Sequence, residues 1–122
     1  MARPDIIILA VDDLPRAAEF YKRGLGFRPV VETPAYVEFA EGVGVYQRDG
    51  FGVNVVERPA AAVGLASTEL YFRVAELDRA SAALIAAGAH PLSPASARPW
   101  GETVAYFADP DGNVVALAGR SA

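Results

Sequence analysis

An internal duplication restricts the fold of this 122-residue sequence more than any other feature. Val11-Asp12-Asp13-Leu14-Pro15-Arg16-Ala17 aligns with Val74-Ala75-Glu76-Leu77-Asp78-Arg79-Ala80 at an offset of 63 residues, and Gly26 and Gly88, each placed to end a helix, lie 62 apart. A near-constant offset across a strand end, a helix start and a helix stop marks one supersecondary unit present twice.

The first copy opens with Ile6-Ile7-Ile8-Leu9-Ala10-Val11, a β-branched run bounded by Pro4 and by Asp12-Asp13, which reads as a buried strand. A helix follows, with Asp12 or Asp13 as its cap and Pro15 in its first turn. Leu14, Ala17, Ala18, Tyr21 and Leu25 form its apolar face, and Gly24 and Gly26 close it. Residues 36–40, 43–48 and 51–57 then read as three strands divided by the turn pairs Glu41-Gly42 and Asp49-Gly50. Residues 58–64 carry Pro and Gly without either period and read as a connection.

In the second copy a strand over 69–74 precedes a helix with Leu77, Ala80, Leu84 and Ala87 on one face. Strands at 103–107 and 114–118 flank the turn Asp109-Pro110-Asp111-Gly112-Asn113, in which Pro110 presets φ and Gly112 accepts a positive one. The two aspartates therefore read as turn formers. The expected organisation is α+β: one domain of two tandem β-α-β-β-β modules, module 1 over about 4–58, a linker at 59–66 and module 2 over about 67–119.

Composition removes several function classes. A formal charge of -4 with 11 scattered basic residues argues against a nucleic-acid partner. No apolar run is long enough to cross a bilayer, and the run 6–11, between Arg3-Pro4-Asp5 and Asp12-Asp13, reads as a strand rather than a leader. No membrane association is expected. The absence of cysteine excludes disulfides and thiolate chemistry and suits a cytoplasmic location. A single histidine, His90, excludes a multi-histidine metal cage; beside Pro91 after the second helix, it reads as a surface residue.

Asp13-Leu14 followed by Phe20-Tyr21, then Leu25-Gly26-Phe27, and late in the chain Asp109-Pro110-Asp111-Gly112-Asn113 resemble the framework signatures of the glyoxalase/bleomycin-resistance/extradiol-dioxygenase (vicinal oxygen chelate) superfamily. The resemblance spans nearly the whole chain. It implies that the modules curl a mixed sheet into a cup with helices on the outer face, and that paired modules enclose a ligand cavity, commonly within a homodimer. Metal-dependent members place ligands on the first and last strand of each module, and alignment puts those positions at Ile6, Asn54, Glu69 and Ala116. Ile6 and Ala116 have no donor atom, Asn54 offers a neutral amide, and only Glu69 is an ordinary ligand. No metal and no cofactor are expected, and the chain is closest in character to metal-free, bleomycin-resistance-type members, where a Trp-Gly pair like Trp100-Gly101 also occurs.

Strand alternation places Ile8, Ala10, Tyr71 and Arg73 on the cup face with Ile6 and Glu69. Glu69 and Arg73, roughly 13 Å apart at about 3.3 Å per residue, then need separate partners. Tyr36, Tyr71, Tyr106 and Trp100 are candidate aromatic walls, with only one of Tyr106 and Phe107 facing inward; Glu38 and Glu69 would favour a cationic ligand. The candidate site is Tyr36, Glu38, Asn54, Glu69, Tyr71, Arg73, Trp100 and Tyr106. The function expected is metal-free binding of a small molecule, sequestering an aromatic or cationic drug and so giving antibiotic resistance. The rival reading is a lyase, isomerase or dioxygenase-like enzyme using Glu69 as metal ligand or base.

Overall fold

The computed structural model describes residues 4–49 and 68–120. Module 1 runs β1 (Ile7–Val11), α1 (Leu14–Leu25), β2 (Pro29–Glu32), β3 (Tyr36–Phe39) and β4 (Val43–Gln47). Module 2 runs β5 (Glu69–Glu76), α2 (Leu77–Ala86), β6 (His90–Ala97), β7 (Thr103–Ala108) and β8 (Val114–Arg120). The two four-stranded mixed sheets have the matching orders β1-β4-β3-β2 and β5-β8-β7-β6. In each, the first strand lies parallel to the last and the remaining pairs are antiparallel. The duplication read from the sequence is thus repeated in strand topology.

Local chemistry accounts for the helices. The Asp13 side chain accepts from the Arg16 amide at 3.1 Å and caps α1, and Gly26, at φ 70°, closes it in the left-handed conformation that glycine adopts without strain. Gly24 has a different role from the expected one. It is buried inside α1, where an added Cβ would lie 3.1 Å from both the Ala87 Cβ and the Leu84 Cδ1, so its missing side chain lets α1 and α2 approach closely.

One apolar core serves both modules. Val11, Phe20, Tyr21, Val45, Leu77, Leu84, Val115 and Leu117 are almost wholly buried in a single cluster, and Phe27 of module 1 meets Phe72 of module 2 edge-on at 5.7 Å. Burying a side chain of this size contributes roughly 1.5–3 kcal/mol, so the modules are expected to stand or fall together. The modules are also joined by polar groups: the Tyr21 hydroxyl donates to Asp109, and the Asp12 amide donates to the Asp111 carboxylate at 2.9 Å.

Two strands differ from the sequence reading. Pro29–Glu32 pairs with β3 as the outer strand of module 1, and His90–Ala97, with its two prolines, pairs with β7 as the outer strand of module 2. Edge position explains both, because an edge strand tolerates proline and needs no apolar alternation. The strand expected over 51–57 and the linker 59–66 lie outside the described residues. The strand beside β1 is β4, so Gly44, opposite Ile8, holds the place in module 1 that Ala116, opposite Tyr71, holds in module 2. The equivalence of Asn54 with Ala116 is corrected accordingly.

Candidate functional site

Alternation divides each sheet into two faces. In module 2, Leu70, Val115, Leu117, Ala105 and Phe107 join the helices in the core, whereas Val104, Ala116 and Ala118 form a second buried cluster covered by Tyr71 and Tyr106. The aromatic question left by the sequence is thereby answered: Phe107 goes to the core and Tyr106 to the open face. Ladder pairing sets Tyr71, Ala116 and Tyr106 in one row, and Arg73, Ala118 and Val104 in the next.

The loop between β6 and β7 folds over this face. Trp100 is 55% exposed, yet its indole N–H donates to the Tyr71 hydroxyl at 3.1 Å. The Tyr71 hydroxyl donates in turn to Glu102 Oε1 at 2.7 Å, and Arg73 reaches both carboxylate oxygens of Glu102, at 2.9 and 3.2 Å. The Arg73 guanidinium also lies 5.3 Å from the centre of the Tyr71 ring. Hydrogen bonds from Arg73 and then Tyr71 hold the Glu102 carboxyl below its usual range, while desolvation and the bond to Glu102 raise the Tyr71 phenol. The site therefore keeps a neutral hydroxyl between an indole donor and a carboxylate acceptor.

Arg98 fastens this loop. Its guanidinium donates to the Val104 carbonyl at 2.9 Å and to the Ser93 hydroxyl at 3.1 Å, and stands 5.0 Å from the centre of the Tyr106 ring. With those bonds made, it positions the loop rather than facing solvent as a free charge. Gly101, at φ 94°, supplies the left-handed turn that swings Glu102 back over β5.

Of the expected site residues, Tyr71, Arg73, Trp100 and Tyr106 are brought together. Tyr36 and Glu38 share the open face of the other sheet, where the Tyr36 hydroxyl donates to Glu38 Oε1 at 2.7 Å and the Tyr36 ring lies 5.2 Å from that of Tyr46. Burial, followed by the bond to Glu38, pushes the Tyr36 phenol up to about 12. Glu69 sits exposed at the start of β5, opposite Val114. Glu38 and Glu69 therefore lie on different sheets of the chain. Asn54 lies outside the described residues. Glu102 and Arg98 were missed as site residues; the signal available was an acidic residue directly after the Trp-Gly pair, and the partners of Glu102, Arg73 and Tyr71, are 29 and 31 residues away in sequence.

The positions at which metal-dependent relatives would carry ligands are Ile6, Gly44, Glu69 and Ala116 once the ladder is followed. Three of these have no donor atom, a set that does not fit a divalent ion bound there. Among the described residues no three His, Asp or Glu side chains gather where they could hold an ion.

Two β-α-β-β-β modules share one core, each with an open sheet face away from its helix. The chain belongs to the Glyoxalase/Bleomycin resistance protein/Dioxygenase superfamily, whose family model matches residues 3–117. A glyoxalase-related enzyme from Fulvimarina pelagi is similar in structure, with 28% identity and a TM-score of 0.85 over 98% of this chain and 89% of that one. An Agrobacterium tumefaciens protein of unknown function has 25% identity and a TM-score of 0.83, covering 98% of this chain and 95% of its own. A second A. tumefaciens protein, solved in solution, has 29% identity and a TM-score of 0.77 over the full length of both chains. No curated protein matches the sequence.

Proposed function

We propose that this protein binds an aromatic small molecule without a metal, on the open face of module 2, and sequesters it as bleomycin-resistance-type members of the superfamily do. The observation that carries this reading is the state of Trp100. An indole 55% exposed to solvent is nevertheless fixed by a hydrogen bond to Tyr71, which Glu102 and Arg73 fix in turn. A large ring held in the open at little remaining entropy cost is a stacking shelf for a planar ligand. The donor-poor set Ile6, Gly44, Glu69 and Ala116 favours binding over metal-assisted chemistry, since the Lewis-acid function needs an ion held by several ligands.

A homodimer completes the proposal. On the open side of module 1, Ile8 and Val31 are each about 40% exposed, and the neighbouring Val30 is 59% exposed. Apolar surface of this kind is what a second copy would cover. Native mass spectrometry of freshly purified protein tests the whole reading. The expected result is a dimer carrying no metal, able to take up one planar aromatic per open module 2 face; a tightly held Ni, Zn, Fe or Mn ion in each chain would overturn it.

A further inference from the structure

The chemistry beside Trp100 specifies the ligand's charge. An open cleft of about 630 Å³ lies at the end of the β5–β8 pair, lined among others by Arg73, Glu102, Thr103, Ala118, Gly119 and Arg120. The ladder shifts register between Arg73 and Glu76, and this irregularity brings the Val74 carbonyl so close to Gly119 that no side chain fits there. Arg73 is paired with Ala118 across the ladder, and Arg120, two residues on, falls on the same face of β8.

The Arg120 side chain is exposed and makes no hydrogen bond or ion pair among the described residues; Glu76, opposite it in the ladder, pairs instead with Arg79. Arg73 has one, the Glu102 carboxylate, and holds it through two parallel N–H bonds, the geometry by which a guanidinium recognises any carboxylate. The pair is open to solvent: the Arg73 side chain is 75% exposed. An exposed ion pair of this type adds little to stability, so an incoming anion displaces Glu102 from Arg73 at small cost. Glu102 thus occupies the position that a ligand carboxylate would take.

We infer that the ligand is an aromatic carboxylate, its ring stacked on Trp100 and its carboxylate held between Arg73 and Arg120 in place of Glu102. Thr103 also lines the cleft. The expected acidic lining from Glu38 and Glu69 does not form here, because Glu38 lies on the other sheet.

The inference rests on the proposed ligand-binding reading, and the test separates the two. Calorimetric and fluorescence titrations use 1-naphthoate, its neutral amide and naphthylmethylammonium as probes. The expected order is naphthoate tightest, by about tenfold over the amide, since hydrogen bonds to a charged group are worth roughly that much. Arg73→Gln and Arg120→Gln should each remove most of that preference, whereas Glu102→Gln, which removes the competing anion, should tighten naphthoate several-fold. Each variant is checked for an unchanged circular dichroism spectrum. If the amide or the ammonium binds as well as naphthoate, or if Arg120→Gln keeps the full preference, the anion inference is overturned while the aromatic shelf stands. If none of the three probes gives a saturable response, both fall.

Discussion

The Tyr21 hydroxyl donates to Asp109 Oδ2 at 2.7 Å, tying the helix of module 1 to the β7–β8 turn of module 2 across 88 residues of sequence. Tyr21 is fully buried and Asp109 is 5% exposed. The same carboxylate accepts from the Asp111 and Asn113 amides at 2.9 and 2.8 Å and from the Asn113 side chain at 2.9 Å. The turn is therefore built around Asp109, and α1 supplies its fourth donor. Burial, reinforced by the charge of Asp109, raises the Tyr21 phenol and keeps it protonated as a donor.

Tyr21→Phe keeps the ring and removes that donor from a buried carboxylate. The expected loss is about 1.5–3 kcal/mol, the range for a hydrogen bond to a charged group. Urea unfolding should show a lower midpoint with the slope unchanged, because the surface exposed on unfolding is the same. A midpoint equal to wild type would mean that the bond does not hold the modules together.

Asp111 gives a prediction that depends on pH. Desolvation, aided by the charges of Asp109 and Asp12 and opposed by the Asp12 amide and Arg48, raises its pKa in the folded protein. Its contribution is therefore fully present below the unfolded value, near 3.9, and is lost as pH rises through the folded one. Asp111→Asn keeps an oxygen for the Asp12 amide and removes the unfavourable charge. Thermal unfolding should show a higher Tm than wild type at pH 7, with the difference vanishing below about pH 4. A lower Tm at pH 7 would contradict this sign.

Two glycines should respond differently to the same change. At Gly119 an added Cβ meets the backbone carbonyl of Val74, which cannot move without breaking the ladder, so Gly119→Ala should cost about 1–3 kcal/mol. At Gly44 the added atom lies 2.6 Å from the Tyr36 hydroxyl, the far end of a side chain that can shift at the expense of its bond to Glu38, rather than backbone. Gly44→Ala should cost less and should disturb Tyr36 rather than the fold, which chemical denaturation of the two variants compares directly.

Much of this architecture was legible in the sequence, for physical reasons that particular residues show. Asp13, Gly26 and the Asp109-to-Asn113 turn act through their own backbone, so local chemistry specifies them. The two helices and β1 carry full apolar faces. The outer strands Pro29–Glu32 and His90–Ala97 do not, since an edge strand has one partner and a largely exposed surface. Because Pro29–Glu32 lacks the apolar alternation that marks a strand, apolar runs alone do not identify β4, with Gly44 opposite Ile8, as the strand beside β1. On the open face, Tyr71, Arg73 and Trp100 followed from alternation and loop position. Glu102 did not, because its role comes from a loop that returns across the sheet to meet β5.

Tyr71→Phe should loosen the shelf without unfolding the protein. The indole N–H loses its acceptor and Glu102 loses a donor, while the Phe ring still covers Ala116. Affinity for a planar aromatic probe should fall about three- to tenfold, the equivalent of one net hydrogen bond, as measured by titration of wild type and variant together. Equal affinities would show that Trp100 does not depend on Tyr71 for its placement.

The chain contains one tryptophan, so an NMR spectrum of nitrogen-15-labelled protein shows one indole N–H resonance, that of Trp100. Titration with 1-naphthoate should move this resonance saturably, together with the backbone amides of Tyr71, Arg73 and Glu102, while amides of β2 and β3 in the same chain stay in place. An indole resonance that does not move at saturating probe, or that moves only with the amides of module 1, would contradict the assignment of the open face of module 2 as the binding site.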